Sequence, residues 1–358
     1  MDERRTVLLL PGQGAQRERM AAGLYGRERV FTDAMDDFFR FFDALDGRGG
    51  GRSGERRGRR LSDRPGDRLG GQGEALRATW LRAAPGSAIG EARAAQPLLF
   101  AVGHALGRAV DRWGSGVDVL VGHSAGELAA ACLAGVFTLE EGAGLLAARS
   151  RVTAPAGGML AVAAPAAALA AHARDGVVVG AVNGPRQTVL SGPSGPLAEA
   201  ARRLRAAGVT VRPLRSDHGF HSPSMEPVAN AFTAAFGALE LRAPTRELIS
   251  CRTARRLTRD EARRPAFWGD QLSLPVRFWP ALRALLDAHT EGPGLVLLDA
   301  SCDHSLSAAA RRHPAVRSGA VVVAPLLPSH GTGTAADVAA LDAARAVHAR
   351  ASVSRAAT

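Results

Sequence analysis

The stretch VDVLVGHSAGELAAACLAG, residues 117–135, joins a β-branched apolar run to a run rich in Ala, Leu and Glu. The first run is typical of a buried parallel strand, and the second, which stops at Gly135, is typical of a helix. Ser124 falls at the turn between them, flanked by Gly122 and Gly126. This Gly-x-Ser-x-Gly pattern predicts a nucleophile elbow, a tight turn that leaves the serine hydroxyl exposed at a helix N-terminus. It also fits a helix that Ser124 simply caps, with the glycines present for packing.

Composition indicates an α/β protein with a large core. The 358 residues are 46% hydrophobic but only 5% aromatic, so the apolar residues are mostly Ala, Leu and Val. All 45 basic residues are arginine, and eight of them lie with only three acidic residues within 47–70. A basic tract without interleaved aromatic residues is usually solvated chain, so we expect no nucleic-acid binding. A basic surface can still attract an acidic protein or a phosphate-bearing substrate.

The cysteines and the apolar runs favour a soluble cytoplasmic protein. Cys132, Cys251 and Cys302 are far apart and odd in number, which predicts neither a metal site nor a disulfide framework. The apolar run VLLL, residues 7–10, ends at once in a Pro-Gly turn and is too short for a signal peptide. No apolar run approaches the roughly 20 residues of a membrane span.

The order of strand-like and helix-like patterns predicts two subdomains. Residues 154–216 read as strand, helix, strand, strand, helix and strand, which is the order of a ferredoxin-like split βαβ unit. Residues 47–77 are rich in Gly and Arg, and we interpret them as a low-complexity, loosely packed insert. The predicted parts are a large α/β subdomain with a parallel sheet over 1–153 and 219–330, a small ferredoxin-like subdomain over 154–218, and a C-terminal helix and tail over 331–358.

Eight short segments follow one another along the chain: LLLPGQGAQ (8–16), AAQPLLFA (94–101), GHSAGE (122–127), AARS (147–150), GGMLAV (157–162), AVNGPRQTVLSG (181–192), HGFHSPSM (218–225) and WGDQLSLPVRF (268–278). In this order they resemble the malonyl-CoA:acyl carrier protein transacylases and the acyltransferase domains of polyketide synthases. The resemblance implies an α/β-hydrolase-like large subdomain and a ferredoxin-like small one, with the active site between them. The chain departs from the family at DASCDHS (299–305), where a Gly-Pro turn is usual.

The resemblance also implies a catalytic pair of serine and histidine, without an Asp or Glu as the third member of a triad. A serine hydroxyl is a weak nucleophile and needs a base within hydrogen-bond reach. His221 takes the place of the family's catalytic histidine, and the main-chain carbonyl of Gln271 would orient it. A tetrahedral oxyanion needs preorganised amide donors. The elbow supplies the amide of Ala125, and the resemblance implies that of Gln13 as the second.

Arg149 stands where the family keeps the arginine that binds the malonyl carboxylate. A charge-assisted pair of about 1.5–3 kcal/mol would favour malonyl over acetyl by roughly 10- to 150-fold. The segment HGFH resembles the HAFH of malonyl-selective domains, in which Phe220 would fill the space that an α-methyl group needs. Three further residues stand in matching motifs and are expected to line the site: Gln96, Asn183 and His218.

The sequence therefore predicts a stand-alone, monomeric acyltransferase of polyketide or fatty-acid biosynthesis. It would move a malonyl or related dicarboxylic acyl group from coenzyme A, through an acyl-serine, to the phosphopantetheine thiol of an acyl carrier protein. Coenzyme A is a substrate and the carrier protein is the partner, and we expect no bound cofactor or metal. Two alternatives of the same fold stay open: an editing hydrolase of acyl carrier proteins and a carrier-to-carrier acyl shuttle. A non-catalytic docking protein is disfavoured because both Ser124 and His221 are present.

Overall fold

The computed structural model describes residues 4–44, 71–82, 89, 91–151, 155–290, 294–331 and 333–353. The strands are β1 Arg5–Leu10, β2 Val119–Gly122, β3 Gly158–Val162, β4 Val178–Gly184, β5 Gln187–Gly192, β6 Val211–Pro213, β7 Glu247–Ser250, β8 Arg255–Arg256, β9 Leu295–Asp299 and β10 Val321–Pro325. The helices are α1 Arg29–Ala44, α2 Gln72–Arg82, α3 Ala92–Val110, α4 Ala125–Leu133, α5 Leu139–Arg151, α6 Ser194–Ala206, α7 Glu226–Gly237, α8 Arg259–Ala262, α9 Pro265–Gly269, α10 Phe278–Asp287, α11 Ser305–Ala310, α12 Pro314–Arg317 and α13 Thr334–Val353. None of these helices combines the length and apolar character that crossing a bilayer requires.

The larger sheet has six strands in the order β10-β9-β1-β2-β7-β8, and every pair except β7–β8 is parallel. Leu8 and Leu10 of β1 pack into one core cluster, while Val7 and Leu9 pack into another on the opposite face. Helices cover both faces, which explains why the strands are uninterrupted apolar runs. Because β1 and β2 are parallel neighbours, the loops that follow them lie side by side at one edge of the sheet.

The smaller sheet has four antiparallel strands in the order β4-β5-β3-β6. With the chain order strand, helix, strand, strand, helix, strand, this is ferredoxin-like topology, and the first crossover is a 3₁₀ helix, Ala166–His172. Leu160, Leu190 and Leu204 belong to its separate apolar core. The predicted fold class, a parallel α/β sheet with an inserted ferredoxin-like sheet, is confirmed.

The predicted loosely packed insert at 47–77 is wrong in its last part. Residues 45–70 lie outside the described residues, but α2 begins at Gln72. Its Leu76 and Trp80 are buried, and the Trp80 ring packs against Phe31 and Phe39 of α1. Since Leu76 and Trp80 are one helical turn apart, they form an apolar face that anchors α2 despite the Gly-rich sequence before it.

The two subdomains are joined at β4, an edge strand of the smaller sheet. The amide of Val276 donates to the carbonyl of Gly180, and the amide of Val182 donates to the carbonyl of Val276, at 2.9 and 2.8 Å. Val276 follows the segment 270–275, so these main-chain bonds hold that segment between the large and small subdomains. They also bring it to the same edge as the loops after β1 and β2.

The elbow depends on glycine at position 126. A Cβ built there would lie 2.3 Å from the carbonyl oxygen of Leu10 and 2.6 Å from that of Pro11, both of them backbone atoms of the neighbouring loop. We expect Gly126→Ala to lower the free energy of unfolding by about 2–3 kcal/mol, as in other overpacked cores. Urea unfolding followed by circular dichroism measures this change.

Gly195→Ala is the matched control. Gly195 lies in α6, and a Cβ there meets nothing within 4 Å. This variant should be more stable than the original chain by about 0.4–1 kcal/mol, because alanine reduces the entropy of the unfolded state. Equal unfolding midpoints for the two variants would show that the elbow tolerates a side chain at 126.

Candidate active site

A serine hydroxyl and an imidazole meet at the edge of the large sheet. Ser124 Oγ lies 2.8 Å from His221 Nε2, although the two residues are 97 positions apart in the chain. His221 Nδ1 lies 3.0 Å from the main-chain carbonyl oxygen of Leu274. Because a carbonyl only accepts, Nδ1 carries the proton, and Nε2 accepts the hydrogen bond from the serine hydroxyl. This is the arrangement that a general base needs in order to activate a serine.

The turn that carries Ser124 is a strained strand-to-helix elbow. Ser124 has φ 52° and ψ −117°, and α4 begins at the next residue, Ala125. The serine side chain makes no capping hydrogen bond to the helix, so the alternative of a simple N-cap is wrong. The hydroxyl is directed at His221 instead, while the first amides of α4 point towards the turn, as at every helix N-terminus.

The loop after β1 lies directly against the nucleophile. A Cβ on Gly12 would lie 2.6 Å from the carbonyl oxygen of His123 and 3.0 Å from Cβ of Ser124. This contact brings the segment that contains Gln13 alongside the serine. Gln96 Nε2, from α3, donates to Gln13 Oε1 at 2.8 Å and fixes that side chain. The assignment of the Gln13 and Ala125 amides to an oxyanion hole remains a prediction.

Burial keeps His221 uncharged. The pKa of His221 is lowered to about 3, chiefly by removal from water and to a smaller extent by the nearby His123 and Arg149. The main chain holds the residue in place, since His221 has φ 64° and its amide donates to the carbonyl of Leu272 at 2.7 Å. A neutral imidazole with a free Nε2 lone pair is the form that can take a proton at neutral pH.

The carbonyl that orients His221 is that of Leu274, three residues after the predicted Gln271. The prediction that the Gln271 carbonyl orients His221 is therefore corrected to Leu274, although the Gln271 carbonyl also faces the imidazole and favours its protonated form. Gln271 belongs to a 3₁₀ helix, Asp270–Leu272, and the chain leaves that helix before the carbonyl of Leu274 points at the ring. The Leu274 side chain itself is 40% exposed, an unusual position for a large apolar group.

Arg149, in the last turn of α5, is a buried cation without a counter-ion among the described residues. Only 8% of it is exposed, and its Nη1 has no hydrogen-bond partner. Its guanidinium carbon lies 5.8 Å from the ring centroid of Phe220 and 5.6 Å from that of Phe232. Burial lowers the pKa of Arg149 to about 9, so the group is still charged at pH 7. A guanidinium in this state can bind a carboxylate through two parallel hydrogen bonds.

Asn183 and His218 hold the surrounding loops. Asn183, on β4 of the small sheet, accepts a hydrogen bond from His123 Nε2 at 2.8 Å, so it links the small subdomain to the elbow. His218 is half-buried, its Nδ1 lies 3.0 Å from the carbonyl oxygen of Pro155, and its ring meets that of Phe220 edge to face. Their predicted contact with substrate remains a prediction.

Sequence reasoning missed Glu127, a buried carboxyl beneath the elbow. It lies one helical turn after Ser124 and is 1% exposed. Burial raises the pKa of Glu127 to about 7, opposed by hydrogen bonds from the side chains of Ser250 and Gln271. The only available sequence signal was a glutamate inside an otherwise apolar helix. In the described part of the chain, no group of His, Cys, Asp and Glu side chains is arranged to hold a metal ion.

A hydroxyl–imidazole pair at a strand–helix elbow, beside a buried arginine unpaired among the described residues, defines an α/β protein with the geometry to activate a serine hydroxyl. The family model of the acyl transferase domain matches residues 78–356, and the chain belongs to that family. The acyltransferase domain from the second module of the salinomycin polyketide synthase is 31% identical. The two superpose with a TM-score of 0.78 over 96% of this chain and 72% of that one.

Two further relatives come from named organisms. Mycoketide-CoA synthase of Mycobacterium tuberculosis is 35% identical over 78% of this chain and 6% of its own length. Malonyl CoA-acyl carrier protein transacylase from Burkholderia pseudomallei is 25% identical, with a TM-score of 0.70 over 87% of this chain and 99% of that one. The chain spans less than a fifth of the length of the curated synthases that it matches first.

The pH dependence of serine labelling tests the state of His221. A fluorophosphonate labels serines whose hydroxyl is activated by a base. Because the folded pKa of His221 is lowered, the imidazole stays neutral as the pH falls below its ordinary value of 6.5. We expect the labelling rate constant of Ser124 to change by no more than about 2-fold between pH 8 and pH 5.

Two variants serve as controls for the labelling experiment. Ser124→Ala should take up no label, and Glu127→Gln removes a buried group near the site whose pKa lies in this range. A fall in rate centred near pH 6.5 in both the original chain and the Glu127→Gln variant would contradict the predicted burial of the imidazole.

Proposed function

We propose that the chain transfers a malonyl group from coenzyme A to the phosphopantetheine thiol of an acyl carrier protein, through an ester on Ser124. The observation that supports this most strongly is the 2.8 Å contact between Ser124 Oγ and His221 Nε2 beside the unpaired Arg149. The proposed setting is the cytoplasm, with the chain acting as a monomer. Membership in the acyl transferase domain family supports the reaction class.

Acylation of Ser124 is the first half of the proposed reaction. The hydroxyl oxygen attacks the thioester carbon while His221 Nε2 takes the hydroxyl proton. The amides of Ala125 and Gln13 donate to the oxyanion of the tetrahedral intermediate. The intermediate collapses by breaking the carbon–sulfur bond, and the imidazolium gives its proton to the leaving thiolate. The products are the acyl-serine ester and free coenzyme A, and His221 is neutral again.

Transfer to the carrier is the reverse chemistry with a different thiol. The phosphopantetheine thiol gives its proton to His221 Nε2, and its sulfur attacks the ester carbon. When the second tetrahedral intermediate collapses, the serine oxygen leaves and takes the proton from the imidazolium. The exposed Leu274 side chain lies on the segment whose carbonyl orients His221. The low exposure of Ser124, 8%, restricts water at the ester and favours transfer over hydrolysis.

The choice of a dicarboxylic acyl group depends on Arg149. Its charge has no counter-ion among the described side chains, and the guanidinium is close enough to His221 to lower the pKa of that imidazole. A malonyl carboxylate would supply the missing counter-ion, whereas an acetyl group would leave the cation buried and unpaired, which is costly. Phe220 lies over the guanidinium on the histidine side and would limit the space for an α-substituent.

Radiolabelled malonyl-, methylmalonyl- and acetyl-CoA test the proposal. We expect malonyl label on the original chain and none on Ser124→Ala, with the bound label chased onto added acyl carrier protein. Arg149→Ala should reduce kcat/KM for malonyl-CoA by about 10- to 150-fold and leave that for acetyl-CoA nearly unchanged. The matched control is Arg246→Ala, which removes an arginine that is ion-paired with Asp111 at the opposite edge of the large sheet.

Three outcomes would contradict the proposal. Rapid release of free malonic acid without loading of the carrier would identify an editing hydrolase. Label that enters only from another acyl carrier protein, and never from coenzyme A, would identify a carrier-to-carrier shuttle. Preferential loading of methylmalonyl would keep the mechanism but reject malonyl as the acyl group.

A further inference from the structure

Two aromatic rings, rather than an acidic side chain, set the position of the Arg149 guanidinium. Phe220 and Phe232 come from different segments, the loop before His221 and helix α7, and the guanidinium carbon lies within 6 Å of both ring centroids. Among the described residues no carboxylate is paired with Arg149. Burial of an arginine is unfavourable unless a neighbouring group attracts its charge. The face of an aromatic ring provides such an electrostatic attraction.

An aromatic ring and a carboxylate differ in whether they leave the N–H donors of the guanidinium free to bind substrate. A carboxylate would neutralise the guanidinium and occupy its paired N–H donors, so a substrate carboxylate would have to displace it. A ring face attracts the cation without accepting those hydrogen bonds. The unpartnered Nη1 of Arg149 is consistent with this arrangement, since a buried donor is left without an acceptor in the absence of substrate.

Of the two rings, Phe232 is the more firmly held. It is 1% exposed, and its ring meets that of Phe236 at 4.9 Å between centroids. Phe236 in turn stacks on Trp268 and meets Phe137, so Phe232 is the end of a continuous row of buried rings. Phe220 is 9% exposed and lies in a loop. Phe232 therefore forms the fixed wall of the arginine site, and Phe220 forms the side next to His221.

We propose that Phe232 is a positioning residue for carboxylate recognition: its ring holds the Arg149 guanidinium, charged and unneutralised, where the carboxylate of the acyl group binds. This inference rests on the proposed transfer of a malonyl group. Phe232 acts only through Arg149 and touches no reacting atom. Its removal therefore affects acyl groups that bear a carboxylate and spares those that do not.

Phe232→Leu is the direct test, because it removes the ring and keeps an apolar side chain. We expect kcat/KM for malonyl-CoA to fall by about 10-fold and that for acetyl-CoA to change by less than about 2-fold. Phe232→Met, a flexible apolar side chain closer in length to phenylalanine, should give the same selective loss if the leucine variant does not fold. Equal losses for both substrates would overturn the proposal and assign Phe232 a structural role.

Two comparisons separate positioning from general damage to the core. Phe137→Leu removes an equally buried ring whose aromatic neighbours are Phe236 and Trp268, and the malonyl-to-acetyl ratio should stay unchanged. In an Arg149→Ala background, Phe232→Leu should have no further effect on that ratio, since the ring then has no guanidinium to hold. Additive effects in this double-mutant cycle would also overturn the proposal.

The same experiment distinguishes failure of this inference from failure of the proposed function. If the original chain places no malonyl label on Ser124, the proposed function is wrong, and the Phe232 proposal falls with it. If the original chain is loaded with malonyl and both Phe232 variants keep its malonyl-to-acetyl ratio, only the positioning role is wrong.

Discussion

The site depends on contact between Ser124 and His221, two residues that both have a positive φ. Ser124 has φ 52° and His221 has φ 64°, and neither is a glycine. Such conformations cost about 1–3 kcal/mol each and persist only where the surrounding structure imposes them. Close contact of Gly122 and Gly126 with neighbouring backbone imposes the first, and the hydrogen bond from the amide of His221 to the carbonyl of Leu272 imposes the second. The strain is therefore balanced by core packing and by a main-chain hydrogen bond, both within the large subdomain.

Burial lowers the pKa of both basic groups of the cleft but leaves them in different charge states. It lowers the pKa of His221 to about 3 and that of Arg149 to about 9, in both cases chiefly by removal from water. At neutral pH the imidazole is therefore an uncharged base, whereas the guanidinium keeps its charge. The positive charge of Arg149 also disfavours protonation of His221. An anionic substrate that neutralises Arg149 would weaken this effect and make the imidazole a better proton acceptor when the acyl group is in place.

The sequence predicts those parts of the molecule that depend on side-chain identity. The elbow and the two sheets follow from apolar periodicity and the Gly-x-Ser-x-Gly motif. The pairing of the serine with the histidine, which meet at 2.8 Å, follows from the resemblance to the family. The sequence does not show whether the carbonyl of Leu274 or that of Gln271 orients His221, because every residue type carries the same main-chain oxygen. The direction of that oxygen depends on where a 3₁₀ helix ends. The helix α2 was missed for a related reason: two buried side chains outweigh the Gly-rich composition of the segment before them.

The segment DASCDHS, residues 299–305, replaces the Gly-Pro turn that is usual in the family. It shows how a different sequence can support the same edge of the sheet. Asp299 ends β9 and accepts hydrogen bonds from the amide of Ser301 and from both the amide and the hydroxyl of Ser307, at 2.6–2.8 Å. One buried carboxylate thus ties the strand end to the start of α11, a rigidity that a Gly-Pro turn would provide through its restricted backbone. Cys302 is packed at 3% exposure within the same turn. Because the amide of Ala300 donates to the carbonyl of Leu9, this network also supports the end of β1, from which the Pro-Gly-Gln loop extends to Ser124.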